Sequence, residues 1–298
     1  DFLVELAGVV SVDGGDGDDV ITLGAALSSG TVAGGLGTDQ LNKGGAIAGL
    51  TISGIEIVNT NGGTLTATAA QLEGFDTIRF SLAQATTAVS LALSEAGTVD
   101  LVDELTGRRA LFAGSSGNDT ITTSNGSDQI DGGAGDDTLT GNAGVDTLIG
   151  GLGDDILSGG DGGDFLVDLS GVVAIDAGDG DDVITVGAGI TTGSIAGGLG
   201  TADQLNKSGN LSAITVTGIE TVNTNGGTLT ATAAQFEGFD TIRFSAANAT
   251  ATISLAQASA GTADLTDEVL GRRVLYQGSS GNDVVTLSDG ADRLDGAA

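Results

Sequence analysis

From Gly114 to Thr185 the sequence divides into eight consecutive blocks of nine residues: GSSGNDTIT, TSNGSDQID, GGAGDDTLT, GNAGVDTLI, GGLGDDILS, GGDGGDFLV, DLSGVVAID and AGDGDDVIT. Their eighth position is always Ile or Leu, at Ile121, Ile130, Leu139, Leu148, Leu157, Leu166, Ile175 and Ile184. A flexible Gly/Ser linker has no reason to hold an aliphatic residue in phase over such a run. A chain with this period stacks like units and buries its core between neighbours.

The three residues around position eight have strand character, with the aliphatic side chain pointing one way and its neighbours the other. The preceding six form a turn, in which glycines at positions one, two and four permit positive φ and close backbone approach. Two blocks make one coil with a strand on each side, so the aliphatic residues stack between two short sheets. The acid at position six then recurs on one edge at every second block. Stacked coils lie about 4.8 Å apart, so two carboxylates and several carbonyls converge between successive turns. Such an oxygen cage suits Ca²⁺.

Composition narrows the chemistry further. There is no Cys, His, Met, Trp or Pro in 298 residues, which removes imidazole bases, thiol nucleophiles, zinc and haem ligation and disulfides. Only hard cations with oxygen ligands remain. Forty Asp and Glu against nine Lys and Arg give a formal charge of -31, which repels nucleic acid and anionic membranes and opposes a compact state unless cations bind. No stretch approaches the roughly 20 apolar residues that cross a bilayer, so direct membrane insertion is not expected. No signal segment opens the chain, and an export signal is expected outside it.

A longer repeat overlies the nonapeptides. DFLVELAGVVSVDGGDGDDVIT at Asp1 recurs as DFLVDLSGVVAIDAGDGDDVIT at Asp164, and VNTNGGTLTATAAQ recurs unchanged from Val58 to Val222. The offsets are 163 and 164, and one residue inserted near Ala202 accounts for the difference. The phase predicts a piece of a longer array. Residues 43–113 and 207–277 lack the acidic turn but keep β-branched runs between Gly, Asn and Ser turns. They are predicted to form wider parallel coils of about 20 residues on the same axis, with Ile52, Ile55, Ile57, Ile78, Phe80, Leu91, Leu101 and Leu111 among the inward residues.

The blocks GGAGDDTLT and GGLGDDILS resemble the nonapeptide GGxGxDxUx of the RTX (repeats-in-toxin) family, which forms a calcium-binding parallel β-roll. The phrase SGIEIVNTNGG, repeated as TGIETVNTNGG, also resembles segments of bacterial surface-layer proteins and large secreted repeat proteins. The fold implied is all-β, a right-handed parallel β-solenoid that alternates RTX β-roll (1–42, 114–206 and the start of another at 278–298) with wider β-helix segments (43–113 and 207–277). The resemblance implies that each Ca²⁺ lies between the position-six aspartates of turns n and n+2, with backbone oxygens of the glycine-rich turns. The implied pairs are Asp119 with Asp137, Asp137 with Asp155, Asp128 with Asp146, Asp146 with Asp164, and Asp164 with Asp182. Val173 replaces the acid in the seventh block, so the site above Asp155 is expected to be missing or incomplete.

Single turns of the same kind end at Asp19, Asp39, Asp203, Asp283 and Asp292, and Ala202 disturbs the spacing before Asp203. The glycines expected to line these cages are Gly15, Gly17, Gly117, Gly133, Gly135, Gly144, Gly151, Gly153, Gly160, Gly162, Gly178 and Gly180. Roughly seven or more ions are implied.

Other readings of the acids and glycines fit less well. Scattered acids on a salt-adapted surface would not keep a nine-residue phase. DGGDGDD lacks the Glu that an EF-hand loop needs at its twelfth position. A glycosidase needs one carboxylate pair flanking the scissile bond, whereas doublets such as Asp18 with Asp19 and Asp136 with Asp137 recur, with position five expected in water and position six on calcium. No G-x-G-x-x-G opens a predicted helix. Arg108 and Arg109, repeated as Arg272 and Arg273, are expected to bridge to Asp103 and Glu104 or to Asp267 and Glu268.

No enzyme activity is expected. The predicted role is a calcium-dependent extracellular or cell-surface rod of a bacterial surface layer, matrix filament or large adhesin. Export by a type I system is implied by the resemblance, and the expected partners are calcium and other repeats or copies of the chain. The alternative is a non-catalytic carrier region of a secreted RTX enzyme or toxin.

Overall fold

A computed structural model describes all of the 298 residues except 9, 80–87, 106–107, 244–251, 268, 270–272, 288–291 and 297–298. The chain is all-β, and its parallel sheets form a β-solenoid of about 13 turns. It has two compact units, Asp1–Gly150 and Gly151–Ala298. The division falls inside the run of nonapeptides.

Every nonapeptide residue at position eight is in the core. In the first unit Ile121 lies in register with Leu139 on one sheet and Phe112 with Ile130 on the other. In the second unit Leu157 faces Ile175, while Leu166, Ile184, Leu205, Val222 and Ile242 form one continuous row. Consecutive blocks therefore alternate between two sheets, as a coil of two blocks requires, because each block supplies one strand and one turn. Parallel stacking in register places like side chains over one another, and the row stays aliphatic since only same-sized neighbours fill it without voids.

Coils outside the nonapeptides are less uniform, and most are longer. Val10 pairs with Gly30 and Gly30 with Leu50, steps of 20, whereas Leu65 pairs with Leu91 and Leu229 with Leu255, steps of 26. The extra residues of the widest coils hold a short helix, Ala69–Leu72 and Ala233–Phe236. Thr68 and Gln71 cap the first reciprocally, and Thr232 and Gln235 the second. T-x-x-Q is a capping-box signature, legible in LTATAAQ, which the strand reading passed over. Gln71 Nε2 also donates to the carbonyls of Ile47 and Leu50, both at 3.0 Å, which ties the helix to the coil before it.

The predicted inward set is partly corrected. Ile55, Ile78, Leu91 and Leu101 are buried, and Phe80 lies outside the described residues. Ile52, Ile57 and Leu111 are only half-buried, and the core positions beside the last two are Val58 and Phe112. In GIEIVN both phases of the alternation carry aliphatics, and register decides between them: Val58 stands between Leu41 and Ile78, all fully buried. The predicted ion pairs of Arg108 and Arg109 with Asp103 and Glu104 do not form among the described residues. A compact turn, closed by the Leu105 N–H on the Leu101 carbonyl, leaves Glu104 beside Glu73, Asp100 and Asp103, and burial followed by these like charges raises its pKa. Glu268 and Arg272 lie outside the described residues.

The aliphatic row makes a direct prediction. Leu166→Ala, in the core, lowers stability by about 2–5 kcal/mol through lost transfer energy and the cavity left behind. Leu169→Ala, three residues on and 61% exposed, changes it by about 0.5 kcal/mol or less. Denaturant unfolding in saturating calcium measures both, and equal effects would contradict the placement.

Candidate metal centre

Ten of the twelve predicted aspartates are withdrawn from solvent. Asp19, Asp39, Asp119, Asp128, Asp137, Asp146, Asp155, Asp164, Asp182 and Asp203 are each at most 2% exposed. Asp283 and Asp292 are half-buried. The acids before them in the doublets, Asp18 and Asp136, are exposed, so each doublet places one carboxylate in water and one inside.

One bond recurs from turn to turn. The backbone N–H of a position-six Asp donates to Oδ1 of the Asp one coil further on: Asp19 to Asp39 (2.8 Å), Asp119 to Asp137 (2.8 Å), Asp128 to Asp146 (2.6 Å), Asp164 to Asp182 (2.6 Å) and Asp182 to Asp203 (2.8 Å). Three of the five expected pairs are thus brought together, and so are two pairs across longer coils. Asp137 with Asp155 and Asp146 with Asp164 join residues of the two units, and their pairing rests on spacing. Insertion of Ala202 does not displace Asp203. The exposed turn absorbs it, with the N–H groups of Thr201 and Ala202 both donating to Asp181 Oδ1 at 3.0 and 3.1 Å.

The second carboxylate oxygen is left over in several turns. Oδ2 of Asp19, Asp39, Asp182 and Asp203 is buried and has no hydrogen-bond partner. A buried ionised oxygen without a partner is costly unless a cation or donor meets it. A glycine cradle lies against these oxygens. A Cβ on Gly14 would stand 2.5 Å from Asp19 Oδ2 and 2.3 Å from the Gly34 carbonyl oxygen, and one on Gly159 would stand 2.4 Å from both Asp164 Oδ2 and the Ala177 carbonyl oxygen. Position one is thus glycine for close approach and not for positive φ. Among the described residues no three acidic or other ligating side chains cluster. A cation here takes carboxylates plus main-chain carbonyls, the all-oxygen set that suits Ca²⁺.

Burial raises the pKa of Asp128, Asp182 and Asp203. Asp182 reaches about 6, with the Asp164 N–H opposing the rise and the charges of Asp164, Asp203 and Asp181 adding to it. Bound calcium would supply the positive charge this cluster lacks. Where serine replaces the early glycines, the protein supplies its own donors: Asp119 Oδ2 accepts the Ser115 N–H at 2.7 Å, Asp128 Oδ2 the Ser124 hydroxyl at 3.2 Å, and Asp283 Oδ2 the Ser279 N–H at 2.7 Å. Asp292 Oδ1 accepts the Val274 N–H at 2.8 Å.

The glycines at positions two and four shape the turn. Gly178, with φ 106°, comes so close to the preceding coil that a Cβ would stand 2.1 Å from the Gly160 carbonyl oxygen. Gly15, Gly17, Gly133, Gly135, Gly144, Gly151, Gly153, Gly160, Gly162 and Gly180 share positive φ, and Gly117 alone of the predicted set does not. In the seventh block the acid has moved. Val173 is buried at position six, and Asp168, at position one, is fully buried with Oδ2 unpartnered. Burial raises its pKa to about 6, the Ser170 N–H opposes this, and Asp155 and Asp154 add to it.

Sequence reasoning missed two pairs of residues. Glu56 and Glu220 accept the N–H of Asp39 and Asp203, both at 2.8 Å. Each glutamate follows its aspartate at a spacing one short of the nonapeptide coil, and that was the available signal. Lys43 and Lys207 are fully buried and have no carboxylate partner among the described residues. Lys43 Nζ donates to the carbonyls of Ala25 (2.9 Å) and Gly44 (2.7 Å), and Lys207 Nζ to those of Gly187, Ala188 and Ser208 (2.8–3.2 Å). Each lysine is a tethered cation inside a carbonyl cage. No sequence signal distinguishes it from a surface lysine.

The family model for the RTX calcium-binding nonapeptide repeat (4 copies) matches residues 6–26, 111–139, 132–166, 158–192 and 275–298. This chain carries RTX repeats. The matched segments contain Asp19, the whole run Asp119 to Asp182, Asp283 and Asp292, while Asp39 and Asp203 lie outside them. No curated protein and no solved structure matches the chain. Among the described residues no helix is long and apolar enough to cross a membrane.

The buried lysines predict a pH effect of definite sign. Burial lowers the Lys207 pKa from 10.5 to about 8, so between those values the unfolded chain holds a proton that the folded chain has released. Stability then rises with pH across that window. In calcium-saturated denaturant titrations the wild type gains on Lys207→Met as pH increases from 8 towards 10.5; a difference independent of pH would show that Lys207 stays charged.

Proposed function

We propose that the acidic turns bind Ca²⁺ through the predicted position-six aspartates and glycine carbonyls, that the chain folds when they fill, and that the folded solenoid is a stiff extracellular element of a surface layer, matrix filament or large adhesin. The RTX repeats make it a calcium-binding repeat protein. The observation that carries the finer reading is the set of buried, partnerless Oδ2 atoms of Asp19, Asp39, Asp182 and Asp203, with main-chain carbonyls beside those of Asp19, Asp39 and Asp203. Those atoms repel one another without a cation. With a charge of -31 on the whole chain and glycine-rich turns that are costly to order, the calcium-free chain is disordered. Extracellular calcium modules bind at about 10⁻⁴ to 10⁻³ M, so folding follows export into calcium-rich surroundings.

An architectural role is favoured by the long repeat. Copying the whole long unit adds complete coils of alternating width, where calcium-triggered folding alone needs only a run of nonapeptides. Self-association or docking of neighbouring repeats completes the assembly.

Calcium titration of the chelated chain, followed by circular dichroism and electron microscopy, tests both levels. Cooperative gain of strand signal with filaments or sheets is expected. Folding without assembly would favour a monomeric adhesin stalk or the carrier-region alternative, and full strand content in chelator would refute coupled folding.

A further inference from the structure

In both copies of the long repeat the ladder of acidic turns ends on a residue from outside any acidic turn. Asp19 N–H donates to Asp39 Oδ1, and Asp39 N–H in turn to Glu56 Oε2, each at 2.8 Å. In the second unit Asp182 N–H donates to Asp203 Oδ1, and Asp203 N–H to Glu220 Oε2, again each at 2.8 Å. The glutamates belong to the segments TISGIEIVN and TVTGIETVN, which have no nonapeptide pattern. The coil that brings them there is short, since Gln40 pairs with Ile57 and Gln204 with Thr221, steps of 17. The extra methylene of Glu spans what the shorter coil leaves.

The rest of the cradle is also present. At Gly34, a Cβ would lie 2.5 Å from Asp39 Oδ2 and 1.7 Å from the Gly54 carbonyl oxygen; at Gly197, one would lie 2.8 Å from Asp203 Oδ2 and 1.7 Å from the Gly218 carbonyl oxygen. This repeats the arrangement of Gly14, Asp19 and Gly34. Asp39 and Asp203 are fully buried, and Oδ2 of each has no hydrogen-bond partner. A glutamate serving only as an acceptor for one N–H would leave these oxygens unmet. We propose that Asp39 with Glu56 and the Gly54 carbonyl, and Asp203 with Glu220 and the Gly218 carbonyl, each form a terminal Ca²⁺ site that joins the acidic turns to the segment following them. The inference rests on the calcium reading of the acidic turns. It makes residues 43–79 and 207–243 dependent on calcium although they carry no acidic repeat.

The test is calcium stoichiometry of the full chain by equilibrium dialysis. Glu56→Gln and Glu220→Gln keep an oxygen acceptor for the N–H and remove the charge. The ion count is expected to fall by one for each glutamate replaced, with strand content at saturating calcium unchanged. Asp182→Asn serves as the control within the acidic turns. If it loses an ion while the Gln variants lose none, the glutamates are acceptors only and the proposal fails. If no variant changes the count, the calcium reading itself fails. Should the Gln variants not fold, anomalous diffraction from terbium-loaded wild-type crystals decides. Metal within about 2.3–2.6 Å of the glutamate oxygens upholds the sites, and its absence at both overturns them.

Discussion

A carboxylate buried one coil below another is the interaction on which this structure depends. Stacking at the spacing of a parallel sheet brings like charges together on a fixed edge, and burial removes the water that would screen them. Main-chain N–H groups satisfy one oxygen of each pair, as from Asp19 to Asp39, and leave the other of Asp39 beside a carbonyl that carries the same partial charge. Burying such like charges is costly unless positive charge lies between the layers.

The chain supplies positive charge to its oxygen cages in more than one way. At Lys43 and Lys207 a covalently attached ammonium fills the cage, with up to three carbonyls around it. At Asp119, Asp128 and Asp283 neutral donors, the N–H of Ser115 and Ser279 and the hydroxyl of Ser124, take the second oxygen instead of a charge. At Asp39, Asp182 and Asp203 neither device meets the second oxygen, while Asp19 pairs through its first oxygen with the amino terminus of Asp1.

Much of this was legible because the nine-residue period is a local property. Position eight reads as core, position six as an inward acid and positions two and four as turn glycines from spacing alone, and the fold class follows from the stacking such a period demands. The phase of the wider coils was less legible. GIEIVN and ALFAG present aliphatics on both faces, so Val58 and Phe112 take the core only because their registers with neighbouring coils place them there. The end of the acidic ladder was hidden too, since Glu56 and Glu220 sit in short links just before strands of ordinary composition, Ile57–Asn59 and Thr221–Asn223.

The sequence by itself determined that like residues stack, that acids recur on one edge and that only oxygen ligands are available, because periodicity and composition need no coordinates. Tertiary structure alone decided which oxygens remain unmet, how the Ala202 insertion is absorbed, why position one must be small, and which residues from distant segments complete the row. Those outcomes depend on contacts between successive coils of unequal length, and a slip of a single position in register exchanges the buried and exposed faces of a strand.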